Sequence, residues 1–309
     1  MQRYLLGKLL RALISLLAIS VIVFVLARIT GDPADIFLSD EASDNDRAIF
    51  NARWGLDRPL PVQYFVFLRH AVTGDFGQSL KWREPALNLV LGRFPATLQL
   101  ALSAFTVGLL IAIPIGVLSA VKRGTLLDTF GKLVALIGQS MPVFWLGILL
   151  IWIFSVNLHL LPSSGSGSGI NGLKYLILPA VAQGWFVVAG IMRLTRSSML
   201  DVLDSEYVKM ARIKGVSEAV VIWKHALKNA AIPVITFASV IFGTFLTGSV
   251  ITETVFAWPG VGRLVVQAVQ ARDFPVVQTA VLFIATVYIT INFLLDIAYA
   301  YLDPRIRFS

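Results

Sequence analysis

Long apolar runs, parted by short polar stretches, dominate the chain. Leu9–Ile29, Pro95–Val121, Leu126–Val156, Tyr175–Val202, Pro233–Thr252 and Val276–Leu302 are each close to or above the length a helix needs to cross a bilayer. The pattern predicts an all-α integral membrane protein with six transmembrane helices. Pro114, inside the second run, is expected to kink it, because proline removes a backbone hydrogen bond. The third run carries Gln139-Ser140-Met141-Pro142 at its middle. Polar residues beside a proline at that depth are tolerated against protein or a water-filled path. Gln139 and Ser140, with Gln183 in the fourth run, are therefore candidates to line a path, and helix-to-helix hydrogen bonding is the alternative.

The polar stretches differ from one another. In Thr30–Phe94 acids outnumber bases, and turn signals at Asp57–Pro61 and Thr73–Gly77 bracket an apolar piece, Val62–Val72, that predicts a short helix. Asn157–Lys174 is short, and its Ser163–Gly169 run, SSGSGSG, reads as a flexible linker. Glu253–Pro275 is too short and polar to span; Pro259-Gly260 marks a turn, and Gly262–Ala271 predicts a short helix.

Ser205–Pro233, SEYVKMARIKGVSEAVVIWKHALKNAAIP, is the most charged stretch of the second half. Leu203, Tyr207, Met210, Ala211 and Lys214 fall at helical spacing. Lys209, Arg212 and Lys214 fill the last turn, where cations suit a helix C-terminus, and Gly215 stands at the usual left-handed stop. Ser217 can cap a second helix, and Pro233 is expected to close the segment. Helix, glycine, helix presents an apolar and basic knuckle that suits a groove on a soluble partner. The competing reading is a solvated basic loop.

Composition narrows the class. Of 309 residues 57% are hydrophobic and 14% charged, too few charges to coat a soluble domain of this size. The net charge of +8 is explained by basic residues on the cytoplasmic side, with no need for nucleic acid. Arg3, Lys8 and Arg11 precede the first run, Lys122-Arg123 end the second, and the 205–233 stretch is basic, so both termini are placed in the cytoplasm. Arg193 and Arg196, near the inner end of the fourth run, are expected to snorkel to lipid headgroups. There is no cysteine, hence no disulfide and no thiolate metal site. No Walker A string or His-Glu-x-x-His is present, and His70, His159 and His225 lie far apart, so neither an enzyme nor a metal centre is indicated and no catalytic residue is named. An ion-coupled transporter or channel is the rival from another class. Such proteins place carboxylates at mid-membrane, whereas Glu253 falls at an outer boundary and Asp296 towards an inner end. An insertase or scaffold is a more distant third.

Several strings resemble one family. Glu-Tyr-Val-x-x-Ala-Arg-x-Lys-Gly (206–215) with His-Ala-Leu-x-Asn-Ala (225–230) is similar to the cytoplasmic loop of ABC importer permeases of the dipeptide, oligopeptide and nickel branch. Ala211 stands at the second alanine of that family's Glu-Ala-Ala motif, and Lys209 stands where the family has its glutamate. Gly-Asp-Phe-Gly-x-Ser (74–79), Arg-Phe-Pro-Ala-Thr-Leu (93–98), Ser-Met-Pro-x-Phe-Trp (140–145), Glu-x-Val-Phe-x-Trp-Pro-Gly-x-Gly (253–262) and the closing Leu-Asp-Pro-Arg-Ile-Arg resemble the same branch. The resemblance implies a type I importer fold: a tail and first helix at 1–29, a periplasmic region at 30–94, and a permease core at 95–309 with its coupling loop at 203–232. It also implies a transmembrane subunit of an ATP-driven importer in a bacterial inner membrane. The partners would be a second permease subunit, two cytoplasmic ATPases that hold ATP and Mg, and a periplasmic binding protein. The chain itself would hold no cofactor. Glu206, Tyr207, Ala211, Arg212, Lys214, Gly215 and Val216 would meet the ATPase, with Arg212 and Lys214 pairing with its acids and Glu206 with its bases. The resemblance leaves peptides, glutathione, nickel or a metal chelate open as solute.

Overall fold

The computed structural model describes residues 2–29, 38, 43–54, 57–167, 169–246 and 249–302. The helices are α1 (Gln2–Ile29), α2 (Asp44–Trp54), α3 (Leu60–Thr73), α4 (Ala86–Val121), α5 (Leu126–Ser140), α6 (Val143–Asn157) and α7 (Gly169–Leu203). They continue as α8 (Glu206–Ile213), α9 (Glu218–Leu246), α10 (Val250–Val255), α11 (Val261–Gln270) and α12 (Phe274–Leu302). The fold is all-helical, as the apolar runs predict. Among the described residues α1, α4, α7, α9 and α12 are each long and apolar enough to cross a membrane, and α5 with α6 makes a sixth crossing if the pair counts as one span.

Local chemistry explains most of the boundaries. Ser43 opens α2: its Oγ accepts from the Asp46 N–H and donates to the Asp46 carboxylate, while that carboxylate accepts from the Ser43 N–H. This reciprocal cap is written in the sequence as Ser-x-x-Asp. Gly74 ends α3 in the left-handed region at φ 77°, and α3 contains the predicted Val62–Val72 helix. Prolines behave unequally. Pro95, Pro179 and Pro233 lie inside continuous helices, so α4 begins earlier than predicted and Pro233 does not close the polar segment; α9 runs through it. At Pro142 the helix does break, and α5 and α6 meet at a bend of 107°. Met141 there is extended, at φ −91° and ψ 122°, as the ring of a following proline demands.

The chain divides into two compact units, residues 1–95 with 260–309 and residues 96–259. In the first, α1 packs along α12 and against α3, with Phe24 edge-on to Tyr64 and the Ser20 hydroxyl bonded to the Tyr64 phenol at 2.8 Å. Its core gathers Val90, Val261, Leu264, Val276 and neighbours. In the second unit α7 is the central helix: 67% of its span is buried, against 39% for α9. Close approach there depends on glycine. A Cβ on Gly184 of α7 would stand 2.5 Å from the Ala104 carbonyl oxygen of α4, and one on Gly108 would stand 2.6 Å from the Val187 Cβ. The Ser163–Gly169 run is less free than a linker, because the Gly165 N–H donates to the Phe256 carbonyl at 2.9 Å. The closing Leu-Asp-Pro-Arg-Ile-Arg string, apart from Leu302, lies outside the described residues, as do the acids at 32, 35, 40 and 41.

Candidate functional site

The loop at 203–232 folds as helix, glycine, helix. Gly215 has φ 77°, where L side chains are strained. Around it the N–H of Val216 donates to Ala211 O at 3.2 Å and that of Gly215 to Arg212 O at 2.9 Å. This is the paired C-terminal closure that requires a left-handed residue at this position. Ser205 and Ser217 precede α8 and α9, but neither caps with its side chain; the Ser205 hydroxyl donates to Val202 O. Val221–Ala226 is wound with the wider π spacing inside α9.

One face of the loop belongs to the chain's own core. Val208 is fully buried with Val117, Met199, Val221 and Ala226, and Ala211 and Val216 pack on that cluster. The opposite face is open. Ile213 is 79% exposed and Met210 52%, beside half-exposed Tyr207, and nothing would meet a Cβ on Gly215. The outward knuckle is therefore Met210, Ile213, Lys214 and Gly215. Met210 and Ile213 were not among the sequence candidates, and their signal was two apolar residues left over once the Val208–Ala211 face is turned inward.

The charges on this loop are largely used within it, against the expectation that Arg212 and Glu206 wait for a partner. The Arg212 guanidinium donates to both Glu218 oxygens, at 2.7 and 3.2 Å, and so staples α8 to α9 across the Gly215 turn. Glu218 correspondingly holds the guanidinium pKa above its usual value, chiefly through that hydrogen bond. Lys209 donates to Glu206 at 2.8 Å, and this bond raises the lysine pKa. The Tyr207 hydroxyl accepts from Asn229 Nδ2 at 2.9 Å.

Below the loop, a buried charge cluster fastens three helices. Asp128 on α5 is fully buried and accepts from Arg196 of α7 at 2.7 and 3.0 Å, from Ser119 Oγ of α4 at 2.7 Å and from the Gly124 N–H at 3.0 Å. Lys132 lies 2.9 Å from the same carboxylate. Arg196 is thus an intramolecular partner rather than a snorkelling anchor, and Arg193 donates to Gln139 Oε1 at 2.9 Å. Of the three path candidates, Gln139 is spoken for by Arg193, and Ser140 donates back to Leu136 O at 2.9 Å on an exposed face. Gln183 differs: it is buried, and neither amide atom has a hydrogen-bond partner.

Two of the sequence strings meet in space, and a third is tied down by Asp273. Trp258 Nε1 donates to Ala96 O and Thr97 Oγ1 to the buried Glu253 carboxylate, both at 2.8 Å, so the 253–262 string is latched to the 93–98 string. In the first unit Asp273 heads α12 and accepts from the Ser79 hydroxyl and the Lys81 N–H, tying down the turn that follows Gly-Asp-Phe-Gly. These strings are structural clasps.

The family described as binding-protein-dependent transport system inner membrane component matches residues 112–308, and its N-terminal counterpart matches residues 1–101. The chain is 37% identical to the dipeptide transport system permease protein DppB of Alkalihalophilus pseudofirmus, with all of both chains covered. It is 41% identical, again over the whole of both chains, to the glutathione transport system permease protein GsiC of Salmonella typhimurium. It is 40% identical to the di/tripeptide transport system permease protein DppB of Pseudomonas aeruginosa, over 94% of each. A solved amino acid ABC transporter with histidines shares the fold, at a TM-score of 0.50 and 17% identity, over 68% of this chain and 92% of that one.

Proposed function

The chain belongs to the family of binding-protein-dependent transport inner membrane components, as an ABC importer permease of the dipeptide and oligopeptide branch, and from that premise we propose that it forms half of a path for peptides. It is a permease subunit of a binding-protein-dependent importer. The full-length likeness to permeases named for dipeptides, di/tripeptides and glutathione is the observation that carries the peptide assignment.

In this reading a second, non-identical permease subunit completes the path. A periplasmic protein delivers solute, and two cytoplasmic ATPases drive transport in a bacterial inner membrane, with both termini of this chain on the ATPase side. The ATPase groove receives the knuckle of Met210, Ile213, Lys214 and Gly215. The Arg212–Glu218 staple and the inward packing of Val208 support this role, because a lever must be stiff to pass a push into the helices. The Asp128 cluster extends that stiffness to α4, α5 and α7. An ion-coupled mechanism is not favoured, and Asp128, saturated by its partners, is no free proton carrier. The test is uptake of labelled dialanine into proteoliposomes holding the assembled importer. The proposal requires ATP, the ATPases and the binding protein together. Uptake driven by an ion gradient without the ATPases would overturn it.

A further inference from the structure

α7 carries two arginines less than one turn apart, and the second unit treats them differently. Arg196 is neutralised by Asp128, at 2.7 and 3.0 Å. Arg193 is exposed, and its Nη1 donates at 2.9 Å to the Oε1 of Gln139, a neutral amide that is exposed as well. Among the described residues no carboxylate pairs with Arg193. A guanidinium has five N–H donors, so most of its binding capacity and all of its charge are left open.

The two side chains also diverge along the helix. Gln139 lies three turns beyond Asp128 on α5, about 16 Å at 1.5 Å per residue, whereas Arg193 and Arg196 are only about 4.5 Å apart along α7. The Arg193 guanidinium therefore reaches away from the Asp128 cluster, leaning towards the N-terminus of its own helix. Gly138, next to Gln139, packs against Ala189, which lies near the middle of the Asn171–Leu203 span. A charge at that level is turned away from the headgroups, and such residues face a water-filled path or another protein group. The face around it is open. Phe186, Arg193 and Ser197 are exposed at helical spacing, while Val187, Ala189, Ile191 and Met192 are buried. Phe237 of α9, 41% exposed, borders this strip at Gly190, where a Cβ would stand 3.0 Å from its ring.

We propose that Arg193 is the anion-reading residue of the solute path and takes the C-terminal carboxylate of a passing peptide. The proposal rests on the peptide-importer reading and adds the residue and the group it recognises. The planar fork of a guanidinium matches a carboxylate with two parallel hydrogen bonds. Gln139 steadies the fork from one side and leaves its charge for the solute to neutralise. The exposed rings of Phe186 and Phe237 offer apolar surface to the side chains of the same solute.

The experiment uses the assembled importer in proteoliposomes, with dialanine and its neutral-ended analogue alanyl-alaninamide as probes, each offered on loaded binding protein. Arg193→Gln removes the charge and keeps a polar side chain beside Gln139; Arg193→Lys keeps the charge and loses the fork. Both complexes are expected to assemble in wild-type yield, since Arg193 is exposed within its own unit. Dialanine uptake by Arg193→Gln is expected to fall about tenfold or more, the worth of a hydrogen bond to a charged group. Arg193→Lys should recover part of it, and alanyl-alaninamide uptake should be the same in Arg193→Gln as in the wild type. Dialanine uptake at the wild-type rate in Arg193→Gln, an equal loss for both probes, or a lysine variant no better than the glutamine one would overturn the inference. So would loss of the second permease subunit from the purified Arg193→Gln complex, which would give the guanidinium to an acid of that subunit. In those cases the inference falls alone. If the wild type itself takes up neither dialanine nor trialanine, the peptide reading falls and takes this site with it.

Discussion

At the scale of single residues, Gly215 and Asp128 make the sharpest demands. Gly215 holds a positive φ with open space around it, so a larger residue there is strained in its backbone and also protrudes from the knuckle. Gly215→Trp is expected to leave insertion intact and to abolish ATPase co-purification or solute-stimulated ATP hydrolysis. Ile213→Asp should do the same with no backbone strain, since Ile213 is exposed and its only expected burial is against the partner. Normal coupled uptake in both variants would remove the knuckle from the mechanism. Ala211→Trp is a different experiment, because Ala211 packs on the chain's own cluster and the bulk falls on the fold. Asp128→Asn leaves Arg196 facing a neutral group in a mostly buried place, and breaking such a pair costs about 3 kcal/mol or more. A lowered melting temperature is expected, with partial recovery in the double variant Asp128→Asn, Arg196→Met; equal destabilisation by the double and the single would show that the charges do not act as a pair. The sequence named Gly215 for the right physical reason, because a helix stop needs φ > 0. It could not reveal that Arg212 is consumed by Glu218 or that Arg196 reaches Asp128 across 68 positions, since a charge in a sequence carries no direction.

At the scale of elements, the long apolar runs located every long helix, and the prolines at 95 and 233 misled about where helices begin and end. Pro95, Pro179 and Pro233 are carried inside helices, while Pro142 breaks one by 107°. Pro142 stands apart in the sequence by the polar Gln139 and Ser140 before it, but the pattern does not say which proline breaks a helix. The break follows Gly138-Gln139-Ser140, where Arg193 of α7 holds the Gln139 side chain, and that tertiary bond is not visible in a local pattern. Glycine divides in the same way. A Cβ on Gly184 would collide with the Ala104 carbonyl, whereas Gly92, also helical, has nothing within 4 Å. Gly184→Ala is expected to cost about 1–3 kcal/mol through forced separation of α4 and α7. Gly92→Ala should be neutral or stabilising by up to about 1 kcal/mol, since alanine favours the helix. Thermal melting of the purified variants measures both, and equal effects would mean that the α4–α7 contact yields without strain.

At the scale of the whole molecule the decisive quantity is which face of the membrane each polar stretch occupies, because the coupling role requires the 203–232 loop to share a side with the ATPases. Helix lengths and composition do not fix this, and the direction rests on the placement of Lys and Arg. The chain offers a clean test, as it has no cysteine of its own. Single cysteines at Asp44, Ser166, Lys122 and Lys214 all fall on exposed positions, so failure to label cannot be blamed on burial within the chain. A membrane-impermeant maleimide applied to intact cells should modify Asp44→Cys and Ser166→Cys, which the charge pattern places outside. Lys122→Cys and Lys214→Cys should react only after the membrane is opened. The two inner positions bear on different claims. Lys122 follows α4 and reports whether that helix runs inward; Lys214 adjoins the Gly215 turn and reports on the knuckle itself. If Lys214→Cys labels from outside while Lys122→Cys does not, either the α5–α6 pair or α7 fails to cross, and in both cases the loop cannot meet a cytoplasmic ATPase. If α5 and α6, bent at Pro142, formed a re-entrant loop instead of a span, Ser166→Cys would stay dark in intact cells, since the chain would return to the side it left. Outside labelling of Ser166→Cys together with protection of Lys122→Cys therefore requires the bent pair to cross, and fixes six spans where length and hydropathy alone allow five.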